Sequence, residues 1–167
     1  MSEQSVPGTP QTQRPFISVP ALRDHWRGHR RLTRRVIEAF PENDLFRFRI
    51  AGLRTFGEMV CELLTVSASM ARGVASGQWD DLDGLGEGPV TKAELLAAWD
   101  RTDSEIERLW DQITPERLDE VALAFGIYPG RTRDHLLYAL DNEIHHRAQG
   151  SVYLRAIGVE PPRFWER

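Results

Sequence analysis

Disulfides are out of reach for this chain, because it carries a single cysteine, Cys61, among 167 residues. A lone thiol suits a reducing compartment, so a cytoplasmic location is the expectation. Long apolar runs are missing too. None approaches the ~20 residues that a membrane-spanning helix needs, and the N-terminus has no signal-peptide core, so no membrane partner is expected. Nor is there a surplus of positive charge. The 21 basic residues face 25 acidic ones, for a net charge of −4 and a pI near 5.7, which excludes a global attraction to nucleic acid. Internal repeats and low-complexity stretches within the core are absent as well. What remains is ordinary for a globular protein, 41% hydrophobic and 28% charged, and long enough for one domain with one buried core. Five tryptophans supply aromatic anchors for that core.

Residues 1–15 are rich in Gln, Ser, Thr and Pro with almost nothing to bury, which predicts a flexible tail ahead of a folded domain over 16–167. Pro20 opens a first helix that Pro41 stops. Its apolar face is Leu22, Trp26, Thr33, Val36, Ile37 and Phe40, with His29 in the middle. The opposite face holds Arg23, Arg27, Arg30, Arg31 and Arg34, which reads as a solvated face rather than a phosphate-binding one. Residues 42–53 alternate enough to suggest a short extended connection. Thr55 and Glu58 form a capping box for a second helix, closed by Gly77, with Phe56, Met59, Val60, Leu63, Ser67 and Met70 as its core stripe. Glu62 sits at the flank of that stripe. The acidic, glycine-rich loop after Trp79 carries Asp81, Asp83 and Glu87 but lacks the spacing of a calcium-binding loop. Thr91 and Glu94 cap a third helix running to about Ile113, broken at Thr114-Pro115. An irregular passage follows, with a turn at Pro129-Gly130.

The last helix, Thr132 to Gly158, poses a question. At about 100° per residue, Leu136, Ala139, Leu140, Gly150, Leu154 and Ile157 share one apolar arc. Glu143 and His146 fall inside the same arc, and Asn142 lies at its edge, one turn before His146. Burying such groups without partners costs about 1–3 kcal/mol each. They therefore bond one another, hold a metal or line a wet pocket. Spacing alone leaves open a hydrogen-bonded structural histidine and a ligand. Four amphipathic helices, each with one apolar face, predict an all-α four-helix bundle.

The run His145-His146-Arg147-Ala148-Gln149, followed by Tyr153-Leu154-Arg155-Ala156-Ile157-Gly158-Val159-Glu160-Pro161-Pro162, resembles the signature of the DinB/YfiT-like superfamily. These are damage-inducible-type metalloproteins, unrelated to the DNA polymerase that shares the DinB name. Arg54-Thr55-Phe56-Gly57-Glu58 resembles the start of that family's second helix. The resemblance implies a four-helix bundle, often a homodimer, with a metal held by three histidines. One comes from the second helix and two, four apart, from the fourth. Only the last of them is present here, as His146. Asn142 and Glu62 stand at the other two positions. A Glu62/Asn142/His146 set is harder than three imidazoles and would suit Fe, Mn or Ni at least as well as Zn.

Three neighbours bear on that set. Glu143 is a second carboxylate that could join it or carry a proton, or else orient His146. His29 could reach the bundle interior, or be a core histidine. Arg147 is expected to pair with an acid such as Glu143. His145 points about 100° away from His146 and reads as a surface residue, His25 and His135 read as peripheral, and Cys61 as a buried, inert thiol. The function the resemblance implies is a metal-dependent S-transferase acting with a low-molecular-weight thiol of the bacillithiol or mycothiol type. Hydrolase and isomerase chemistries also occur in such families. The alternative is a non-catalytic stress-response bundle that binds a metal or a small-molecule ligand at a degenerate site.

Overall fold

The computed structural model describes residues 16–79 and 87–167. The tail expected over 1–15, and Asp81 and Asp83 of the acidic loop, lie outside them. Four long helices account for most of the chain: α1 (Val19–Ala39), α3 (Phe56–Ser76), α4 (Lys92–Leu109) and α6 (Thr132–Ala156). Both capping boxes form. Thr55 and Thr91 accept from the backbone N–H groups of Glu58 and Glu94, whose carboxylates reach back to the cap residues. Gly77 closes α3 in the left-handed conformation at φ 81°. α3 packs on α6 and α4, and α1 packs on the same two, giving the four-helix bundle. Among the described residues no helix is long and apolar enough to cross a membrane.

The apolar stripes meet in two separate clusters. One gathers Val36, Ile37, Phe40, Phe56, Met59, Leu63, Trp99 and Leu154. The other gathers Leu22, Trp26, Val66, Met70, Ile106, Trp110, Leu136 and Leu140. On α1 and α6 the residues between the two clusters are buried and polar: His29, Arg30, Thr33, Glu143, His146 and Arg147. A polar layer thus crosses the bundle at mid-height. Gly150, on the core face of α6, admits no side chain, since a Cβ there would lie 2.4 Å from the Phe56 ring.

Five expectations are corrected. Residues 42–53 are not extended: Pro41 leads into a short helix, α2 (Glu42–Leu45), and a turn follows in which Ala51 (φ 47°) and Gly52 (φ 77°) are both left-handed. Thr114-Pro115 does more than break a helix. The third helix finishes in a 3-10 turn at Trp110–Gln112, and Thr114 then caps α5 (Pro115–Asp119) by accepting from the Arg117 N–H. Pro129-Gly130 is no turn, because it lies in strand β2 (Tyr128–Arg131), paired antiparallel with β1 (Val121–Ala124). The reversal falls instead at Phe125-Gly126 (φ 52° and 71°). Gly130 runs close to His135, and a Cβ there would sit 3.1 Å from the ring, which would have to give by a few tenths of an ångström. The arginine face of α1 is only partly solvated, with Arg27 and Arg31 exposed. Arg30 is buried, and Arg23, Arg27, Arg30 and Arg34 reach Glu107, Asp103 and Asp100 of α4. Phe164 and Trp165, which follow the helix-ending Pro161-Pro162 and read from the sequence as packing back on the body, do not do so; both are exposed and stack edge-to-face on each other.

Candidate functional site

Helix α3 presents Glu62 and helix α6 presents Asn142 and His146 to one point between the two helices. The Glu62 carboxylate is the hub. Its Oε1 lies 3.1 Å from His146 Nε2 and accepts from Asn142 Nδ2 at 3.2 Å. Its Oε2 accepts from Arg54 Nη1 at 2.5 Å. Arg54 also places Nη2 3.5 Å from His146 Nε2. On the far side of the ring, His146 Nδ1 lies 2.7 Å from Gln149 Oε1. Side-chain exposure is 12% for Glu62 and 8% for His146 but 46% for Arg54, so the cluster is closed from the interior and capped by the guanidinium. Burial pushes the Glu62 carboxyl up, but the bonds from Arg54 and His146 outweigh it and hold the group below its ordinary value.

Arg54 owes its place to the loop ahead of α3. The left-handed pair Ala51-Gly52 turns the chain, Leu53 N–H closes the turn on Ile50 O at 2.9 Å, and Thr55 starts the helix. Tyr153 of α6 donates its hydroxyl to Arg54 O at 3.0 Å, tying the loop to the helix that carries His146. Sequence reasoning placed Glu62, Asn142 and His146 together, and the structure does bring them together. It did not assign roles to Arg54, Gln149 or Tyr153. The available signals were Gln149 three residues after His146, one turn along, and Arg54 directly before a capping threonine.

The other candidates are engaged elsewhere. Glu143 is fully buried against α1, accepting from Thr33 Oγ1 at 2.5 Å and Trp26 Nε1 at 3.2 Å, with Arg30 and Arg147 guanidinium nitrogens each 3.7 Å away. Burial pushes its carboxyl up against the pull of those cations. The pairing expected of Arg147 is therefore present. His29 contacts Arg147 Nη2 at 2.9 Å and Arg167 Nη1 at 2.8 Å, and burial between these cations lowers its pKa to about 3. Neither His29 nor Glu143 joins the Glu62 cluster. His135 is not peripheral: it is buried edge-on against Trp79. His25 and His145 are exposed, each edge-on to the next inward histidine. Cys61 is buried, its thiol pushed up by burial.

A divalent metal does not fit this arrangement. The side chains face one another rather than a shared centre: Asn142 turns its amide N–H toward Glu62, and the His146 ring is taken up by the Glu62 carboxylate and the Arg54 guanidinium at Nε2 and by Gln149 Oε1 at Nδ1. The single carboxylate is already neutralised by Arg54. Among the described residues no group of three or more His, Cys, Asp or Glu side chains converges as a metal site.

The fold and site together define a class: a four-helix bundle with a polar cluster between the helix after the first loop and the last helix. The chain belongs to the DinB family, whose model matches residues 13–167. Among solved structures it is similar to the DinB-like protein YjoA of Bacillus subtilis, with 23% identity, 86% of this chain and 96% of that one covered, and a TM-score of 0.69. It is also similar to a DinB-like protein of Bacillus cereus, with 15% identity, 90% and 100% coverage, and a TM-score of 0.73. These likenesses bear on the fold alone. No curated protein matches the chain.

Proposed function

We propose that this chain is a metal-independent DinB bundle whose α3–α6 cluster binds a small polar ligand, with the Arg54 guanidinium in the place of a bound cation. The observation that carries this reading is the Arg54–Glu62 pair at 2.5 Å, with the same guanidinium 3.5 Å from His146. A metal-dependent thiol transferase needs an ion with an open position to lower the pKa of the bound thiol. Here the ligands that would hold Zn, Ni, Fe or Mn satisfy one another instead. A half-exposed Arg54, with Asn142 and Gln149 beside it, offers hydrogen-bond groups to a ligand at the mouth of the cluster. The homodimer implied by the family resemblance belongs to the same proposal. It would cover the apolar side chains that α6 leaves exposed, Leu137, Tyr138, Ile144 and Val152, and sedimentation velocity reads it directly.

Metal content of the untagged protein tests the proposal. The expected result is sub-stoichiometric Zn, Ni, Fe and Mn, unchanged by His146→Ala. Stoichiometric metal that His146→Ala removes would restore the transferase reading, and a screen of low-molecular-weight thiols against a model electrophile would then follow.

A further inference from the structure

Helices α1 and α4 enclose a cleft of about 210 Å³ that plays no part in the site above. Trp26, Ile106 and Trp110 form its apolar walls, all buried, with the two indoles edge-to-face at 5.9 Å. Arg27, Arg30 and Arg31 line it as well, against Asp103 and Glu107. Arg27 Nε pairs with Glu107 at 3.0 Å and Arg30 Nε with Asp103 at 2.5 Å. The lining therefore keeps one positive charge in excess, and that charge is Arg31, which is exposed and has no ion pair among the described residues.

Arg30 points to what is missing. Its side chain is only 4% exposed, its Nη1 donates to Ser67 at 3.2 Å, and its guanidinium carbon lies 3.4 Å over the Trp99 ring. Yet its Nη2 is buried with no hydrogen-bond partner. A buried donor on a cation is costly to leave unmet, so an acceptor belongs beside it. We propose that this cleft binds a small organic monoanion with an apolar body, of the aryl or branched-alkyl carboxylate class. Its carboxylate is held by Arg30 and Arg31, and its body lies against Trp26, Ile106 and Trp110. Size agrees, since an apolar cavity of about 150 Å³ already accommodates benzene. Charge agrees, since one anion cancels the excess. Asp103 and Glu107 oppose a dianion.

Benzoate is the probe, titrated into the full chain by calorimetry and by tryptophan fluorescence, with benzamide as its neutral isostere. Saturable binding of one benzoate per chain is expected, with benzamide at least about tenfold weaker. Arg31→Gln should weaken benzoate about three- to tenfold at unchanged Tm, because the side chain is exposed and makes no hydrogen bond or ion pair among the described residues. His146→Ala should bind benzoate as the wild type does, which separates this site from the α3–α6 cluster. No saturable binding, equal binding of benzamide, an unaffected Arg31→Gln, or loss of binding in His146→Ala would each overturn the proposal.

Discussion

A guanidinium and a divalent ion compete for the same carboxylate, and at Glu62 the guanidinium is covalently part of the chain. That single residue decides how the site reads, and it shows how the same locality acts elsewhere. His29 lies between Arg147 and Arg167, with His25 edge-on to its ring, and burial together with these cations holds its folded pKa at about 3 against an ordinary 6.5. The unfolded chain therefore binds a proton that the fold refuses. Stability must fall as pH drops from about 6.5 toward about 3, a decline that begins above the range where most carboxylates titrate. Urea midpoints measured from pH 7 to pH 4 should decline in the wild type and flatten in His29→Gln; parallel slopes would show that this histidine is not the sensor. Among the described residues, Glu143 is the only carboxylate facing both Arg30 and Arg147 within 4 Å. Glu143→Leu should cost about 3–5 kcal/mol in urea denaturation, since it leaves the buried Arg147 without a carboxylate and Arg30 with Asp103 alone. Glu143→Gln should cost less, because the amide can still accept from Thr33 and Trp26.

At the scale of elements, the long helices were legible because each carries its own start and stop chemistry. Thr55-x-x-Glu58, Thr91-x-x-Glu94 and Gly77 specify local backbone bonds with no help from the rest of the fold. Thr55→Ala should destabilise by about 1 kcal/mol in thermal or urea melts, and a change near zero would mean that the capping box adds nothing to packing. What the sequence hid depends on partners far away. The hairpin was missed because Pro129-Gly130 looks like a turn, while the real reversal uses Phe125 in a left-handed conformation, its ring edge-on to Trp79. The arginine stripe of α1 was misread because periodicity shows which residues share a face, not what covers it. The acids that meet those arginines, Asp100, Asp103 and Glu107, lie on α4, 66 to 84 residues along the chain. The site was legible to the same degree. Glu62, Asn142 and His146 lie on helix faces that periodicity and the family signature locate, but Arg54 sits in a loop whose direction is set by Ala51-Gly52 and by Tyr153.

The whole molecule is two apolar cores joined through a layer of buried charge, and that layer carries both the scaffold and the α6 residues next to the site. Its arginine–glutamate group is expected to contribute specificity more than stability, because desolvation offsets most of the Coulomb gain. Replacing Glu143, Arg30 and Arg147 together by Leu, Met and Met should therefore give a protein more stable than Glu143→Leu alone. A triple variant less stable than the single one would mean that the charged layer stabilises the bundle outright. The same logic of compensated charge underlies the central claim about Arg54. The most direct test is calorimetric titration of Zn²⁺ and Ni²⁺ into the wild type, Arg54→Met and Arg54→Met/His146→Ala. The account expects no stoichiometric binding to the wild type, one ion bound by Arg54→Met, and loss of that ion in the double variant. A wild type that binds one ion as tightly as Arg54→Met would contradict it.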